Sequence, residues 1–135
     1  MINRTTNDEI THVSGNEIFV FGSNLSGFHG GRAAKVAMKW GAIWGNPVGL
    51  QGNTYAIPTK SEGFKETLTI EVIKPYADDF IEFAKDNPDL IFYVTEIGCG
   101  LAGLTIEEVA PLFKGTIEID NIFLPELFWG ELKNK

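Results

Sequence analysis

Cysteine, histidine, positive charge and long apolar runs are all scarce in this chain of 135 residues. The single cysteine, Cys99, cannot close an internal disulfide, so nothing asks for an oxidising compartment. With only His12 and His29 beside it, the chain falls short of the four Cys or His ligands of a structural zinc site, and no metal or other cofactor is expected. Eleven Lys and Arg stand against eighteen Asp and Glu, a formal net charge of −7. Bulk attraction to phosphate backbones is thereby excluded, and no direct sequence-specific contact with nucleic acid is expected. No apolar run approaches the roughly 20 residues that span a bilayer, so no membrane partner is expected. Residues 1–9 are polar and lack the apolar centre of a signal peptide, which predicts a cytoplasmic chain. Repeats, low-complexity tracts and linkers are missing too, and the length suits one domain over residues 1–135.

Glycine, in contrast, occurs fifteen times and gathers in two stretches that carry the most information. Residues 21–31 read Phe-Gly-Ser-Asn-Leu-Ser-Gly-Phe-His-Gly-Gly, and residues 97–104 read Ile-Gly-Cys-Gly-Leu-Ala-Gly-Leu. Each follows a short apolar run and leads into a segment of helical spacing. A strand, a glycine loop and a helix start together expose backbone N–H groups where hydrogen bonding and the helix dipole both favour a phosphate. Two such loops in one small domain suit a ligand with two phosphates, or a phosphate and a sugar, held between them.

The rest of the pattern predicts the frame. Ile18–Phe21, Thr54–Ile57, Leu90–Thr95 and Asn121–Leu124 are short apolar runs that read as buried strands, the second and fourth ended by Pro58 and Pro125. Helical spacing covers residues 31–40, residues 69–86 with Pro75 starting or bending the helix, and residues 105–114, opened by the capping box Thr105-Ile106-Glu107-Glu108. A short helix is expected over residues 125–132, and residues 42–51 read as a loop. Strands alternating with helices give a mostly parallel sheet covered on both faces, with ligands bound beyond the carboxyl ends of the strands. Gly22-Ser23-Asn24, Pro58-Thr59-Lys60, Ile97-Gly98-Cys99 and Pro125-Glu126 all follow strand ends and are expected along one edge.

Taken in order, these loops resemble the macrodomain superfamily, and in particular its terminal ADP-ribose protein glycohydrolase branch. The resemblance is carried by Phe28-His29-Gly30-Gly31-Arg32-Ala33-Ala34, by Tyr55-Ala56-Ile57-Pro58-Thr59-Lys60 and by Ile97-Gly98-Cys99-Gly100-Leu101-Ala102, within residues 18–124. The sequence also resembles small bacterial and phage proteins with the same motif order. The resemblance implies a three-layer α/β macrodomain-like fold and, as partner, an ADP-ribose-type small molecule or an ADP-ribosylated macromolecule. The site residues it implies are Gly22, Ser23, Asn24, His29, Gly30, Gly31, Arg32, Thr59 and Lys60 from the first two motifs. Gly98, Cys99, Gly100, Leu101, Ala102 and Gly103 come from the third. Lys60 matches the lysine that attacks the ribose in that branch, which makes it the candidate catalytic residue. Two departures stand out: the branch's catalytic Asp is replaced by Ala102, and the Gly-Asp-Ile/Leu motif whose Asp contacts adenine has no clear counterpart in residues 11–17.

Several of these residues also have plainer readings. Ser23 and Asn24 suit a ribose or a turn that satisfies its own backbone. His29 suits a phosphate contact, acid–base work or a structural place. The Cys99 thiol reads as a small buried hydrophobe. Glu62 and Glu96 are candidates to supply the missing carboxylate, and one of Trp40, Trp44 and Tyr55 is a candidate to stack on a base. The reading that follows is a binding module for ADP-ribose or a related NAD-derived nucleotide, with an ADP-ribosyl hydrolase acting through Lys60 as the alternative.

Overall fold

The fold is taken from a computed structural model that describes residues 4–64, 66–100 and 102–133. Five strands form one sheet: β1 (Glu17–Asn24), β2 (Gly49–Gln51), β3 (Thr54–Lys60), β4 (Ile91–Val94) and β5 (Ile122–Phe123), in the order β2-β3-β1-β4-β5. β1 lies at the centre, parallel to β3 and to β4, and β5 runs parallel to β4. Only β2 is antiparallel. The chain is therefore an α/β protein with a mostly parallel sheet.

Side chains alternate across β1 because successive Cβ atoms of a strand point to opposite faces. Ile18 and Val20 join Tyr55, Ile57, Phe92, Val94, Ile122 and Leu124 in the larger core cluster. That face is covered by α2 (Ile70–Asp86), by α3 (Ile106–Val109) with the 3-10 turns of Ala110–Thr116, and by α4 (Glu126–Lys133). Phe19 and Phe21 point the other way and pack with Ala56 under Ala34 and Ala37 of α1 (Arg32–Ala37), beside Val13 and Ala42.

The helix boundaries follow local chemistry. Thr69 caps α2 by accepting from the Val72 N–H, so the helix starts a turn before Pro75 instead of at it. At Thr105 the expected capping box is present. The helix it opens is shorter than its spacing suggests. It tightens into 3-10 turns at Ala110, where Pro111 has no N–H to continue the α-helical ladder. Two strand readings are corrected. Residues 49–51, expected within a loop, pair with Thr54–Ala56 as an edge strand. β3 runs through Pro58 to Lys60, because β2 reaches only as far as Ala56 and the strand beyond it is an edge where a missing donor is tolerated.

The segment before β1 is anchored across the carboxyl end of β5. The Thr6 N–H donates to Leu124 O at 2.8 Å, and Leu124 N–H donates to Arg4 O at 3.2 Å. The Arg4 guanidinium donates to Thr116 O, Ile119 O and Ile122 O and, at 2.5 Å, to Ile117 O. The Trp129 indole donates back to Arg4 O, with the guanidinium 5.4 Å from the Trp129 ring centroid. One cation thus satisfies the carbonyls at the end of the 3-10 segment and holds residues 4–6 in place. Arg4→Ala is expected to lower unfolding stability by about 2 kcal/mol, the scale of charged hydrogen bonds. Urea titration should show a lower midpoint with an unchanged slope.

Candidate functional site

The two glycine loops converge because of strand order. β1 and β4 are neighbours, yet α1 after β1 packs on one face and α3 after β4 on the other. Chain segments that leave adjacent parallel strands toward opposite faces open a crevice beyond their carboxyl ends. A cleft of about 1090 Å³ occupies that position.

The cleft walls hold ten of the residues singled out by sequence: Gly22, Ser23, Asn24, Gly31, Arg32, Thr59, Lys60, Gly98, Gly100 and Ala102. Gly22 sits where the loops meet. A Cβ on it would lie 3.3 Å from Thr59 Oγ1 and 3.6 Å from the Gly98 nitrogen. Glycine here leaves the second loop room to approach the end of β1.

Hydrogen bonding separates groups spent on structure from groups left for a ligand. The Asn24 amide organises the first loop: Oδ1 accepts from the Ser26 and Phe28 N–H groups, both at 3.1 Å, and Nδ2 donates to Phe28 O at 2.9 Å. The Ser23 hydroxyl donates to Pro47 O at 2.6 Å, and the Thr59 hydroxyl donates to Ser23 O at 3.3 Å. These three side chains are buried and serve the walls. Among the described residues, the N–H groups of Gly31, Arg32, Ala33, Ala34, Gly98 and Gly100 have no acceptor. They are backbone donors at the rims of a concave site, the arrangement that suits an anion.

Lys60 is aligned with the second loop through Thr67. A β-bulge between Ser23 and Asn24 sets Asn24 opposite Lys60 and leaves Thr59 as the extra residue of β3. Lys60 forms an antiparallel bridge with Thr67, whose hydroxyl donates to Ala102 O at 2.5 Å. Lys60 and Ala102 therefore line the cleft together, and among the described residues no carboxylate pairs with the Lys60 ammonium.

The remaining sequence candidates lie elsewhere. His29 does not reach the cleft; it is 2% exposed, edge-on to Phe21 with ring centroids 5.3 Å apart, and neither ring nitrogen has a partner among the described residues. Gly30, Cys99 and Gly103 also lie outside the cleft walls, and Leu101 falls outside the described residues. Burial pushes the Cys99 thiol up to about 11, with the charges of Glu96 and Glu108 adding to the shift. Glu62 is exposed away from the cleft, whereas Glu96 lines it. Tyr55 is buried against Phe80, Trp40 packs edge-on to Phe19, and Trp44 is exposed. No group of three His, Cys, Asp or Glu that could hold a metal occurs among the described residues.

Sequence reasoning missed one wall. Residues 6–11, anchored beside Leu124, line the cleft with Pro125, Glu126 and Leu127. They bring Asp8 and Glu9 to this end, over an apolar floor of Ile10, Phe19, Ala33 and Val36. Charge is therefore divided along the cleft: Lys60 follows β3 on one side of β1, and Glu96 and Glu126 follow β4 and β5 on the other. Pro125-Glu126 was expected at this edge from its place after a strand, whereas no periodicity set the paired Asp8-Glu9 apart.

The geometry defines an α/β protein with a ligand-sized cleft at the carboxyl edge of its sheet. No family model, no curated protein and no solved structure matches the chain. Further, no described helix is long and apolar enough to cross a membrane.

The raised Cys99 pKa fixes the chemistry of its thiol. Only the thiolate is nucleophilic, and a shift from 9.0 to about 11 cuts its fraction at pH 8 by about a hundredfold. Alkylation by iodoacetamide at pH 8 is expected to be slower by that factor than for a model thiol of ordinary pKa, rising until about pH 11.

Proposed function

We propose that this chain is a macrodomain-like binding module for ADP-ribose or a related NAD-derived nucleotide. The observation that carries the reading is the convergence on one cleft of two glycine loops whose N–H groups at Gly31, Arg32, Gly98 and Gly100 have no acceptor among the described residues. A diphosphate satisfies such donors from both rims, and the Arg32 and Lys60 side chains add positive charge. At the other end, Asp8 and Glu9 are acceptors for a base amine or sugar hydroxyls, and Ile10, Phe19 and Val36 offer an apolar bed for a base. The negative charge of the whole chain is not an obstacle, because the donors that meet the phosphates are fixed local dipoles.

A second reading, hydrolysis of an ADP-ribosyl bond, draws on Lys60 and Ala102 lining the same cleft. In it the Lys60 amine attacks the anomeric carbon of the distal ribose, and the leaving group takes a proton. Resolving the resulting adduct needs a base to activate water, and position 102 supplies none. Glu96 also lines the cleft, but among the described residues no carboxylate pairs with Lys60, so binding without turnover is the preferred reading.

Gly100 gives a clean test. A Cβ there meets nothing within 4 Å among the described residues, and its φ is not in the left-handed region, so the fold accepts a side chain. Calorimetry with ADP-ribose should show binding to the wild-type chain and at least about a tenfold loss in Gly100→Glu, as expected when a carboxylate opposes a phosphate. The thermal midpoint should stay unchanged. No heat with the wild-type chain at millimolar ADP-ribose overturns the reading. Incubation with ADP-ribosylated protein separates the two functions: release of ADP-ribose that disappears in Lys60→Ala makes the protein a hydrolase.

A further inference from the structure

We propose that the β5 end of the cleft, built on the unpaired hydroxyl of Thr6 and the carboxylates of Asp8, Glu9 and Glu126, is a subsite for the uncharged sugar of the ligand's outer nucleoside, and that it rejects a nucleoside carrying a further phosphate there. This deepens the nucleotide-binding reading and rests on it. Thr6 is part of the cleft wall and 5% exposed, yet its Oγ1 is buried without a hydrogen-bond partner among the described residues. A buried hydroxyl left unpaired costs stability, and a hydroxyl brought by a ligand supplies the missing partner.

The fold holds Thr6 firmly in this place. Its N–H donates to Leu124 O, and the Leu124 N–H donates to Arg4 O, so residues 4–6 are tied to the end of β5. The Arg4 guanidinium is turned to the carbonyls of Thr116, Ile117 and Ile122, and Arg4 is not part of the cleft wall. Beside Thr6 the wall continues into the start of α4. A helix N-terminus ordinarily favours an anion, but here Glu126 opens the helix with a carboxylate of its own. The loose phosphate preference of a helix start is thereby offset, and this end presents acceptors.

Charge says what these acceptors admit. The cleft walls carry two cations, Arg32 and Lys60, and four carboxylates, Asp8, Glu9, Glu96 and Glu126. None of the six is in an ion pair among the described residues. Lys60 ends β3, three interstrand steps from β5, or roughly 14 Å at about 4.8 Å per step. That exceeds the screening length of about 8 Å at physiological ionic strength, so Lys60 leaves the carboxylates at the far end uncompensated. A diphosphate on the glycine loops beyond β1 and β4 then places its outer sugar on the acidic side. Hydroxyls of that sugar donate to Asp8 or Glu9 and to Thr6 Oγ1. A phosphate ester on the same sugar brings up to about two negative charges against like charge.

ADP-ribose and its 2′-phosphate ester differ by that group alone and serve as probes. Calorimetry of the full chain should show the ester bound at least about tenfold more weakly than ADP-ribose. Asp8→Asn combined with Glu9→Gln should shrink that ratio to about threefold or less, whereas Glu62→Gln, away from the cleft, should leave it unchanged. Thr6→Val removes the hydroxyl at nearly constant shape. Its thermal midpoint without ligand should hold or rise, because an unpaired buried group is gone, while ADP-ribose affinity should fall about fivefold. With ADP-ribose bound, an ester of equal or higher affinity overturns the subsite, as does a double variant that keeps the wild-type ratio. A Thr6→Val variant that loses thermal midpoint and keeps its affinity overturns it as well. Each of these results leaves the ADP-ribose reading standing; if neither probe binds, both fall.

Discussion

The site depends on a topological constraint: the chain leaves two adjacent parallel strands, β1 and β4, toward opposite faces of the sheet. Packing fixes this division. Ala34 and Ala37 seat α1 closely on Phe19 and Phe21, whereas Val109 and the 3-10 segment bury against the larger cluster on the other face. The gap left between the diverging segments is the cleft, and Gly22 at its base keeps the loops from being pushed apart. The cleft is thus a consequence of sheet packing.

Polar groups in the site divide the work. Side chains that look ligand-like in sequence, Ser23, Asn24 and Thr59, are consumed in holding the loops. Backbone amides at Gly31, Arg32, Gly98 and Gly100, which carry no sequence signature of their own, have no acceptor among the described residues. This division gives rigidity where an unpaired buried side chain would be costly, and leaves donors fixed in place before a ligand arrives. Arg4 extends the same logic to the far wall, since the cation that binds the carbonyls around Ile119 also positions the segment carrying Asp8 and Glu9.

Much of this was legible in the residues. Uninterrupted apolar runs marked β1, β3, β4 and β5, because strands buried on both faces need no alternation. The capping box marked the start of α3, and the glycine loops marked the rims of the cleft. Other features were hidden for physical reasons. β2 is three residues of Gly-Leu-Gln, too short and too polar to show a period. Residues 6–11 are held by backbone hydrogen bonds and by Arg4, which leave no trace in hydropathy. His29 and Phe28 are neighbours in one motif, yet the extended loop turns one into the core and the other to the cleft. Trp40 and Trp44 are equivalent stacking candidates in sequence, yet the fold packs Trp40 on Phe19 and leaves Trp44 exposed outside the cleft walls.

In the proposed reading, both rims hold a diphosphate through main-chain N–H groups. Amide proton and nitrogen shifts recorded during titration with ADP-ribose read those groups one by one. Large downfield shifts at Gly31, Arg32, Gly98 and Gly100, saturating together, are the predicted result. Shifts confined to one loop, or lying away from both while the ligand saturates, would contradict the account.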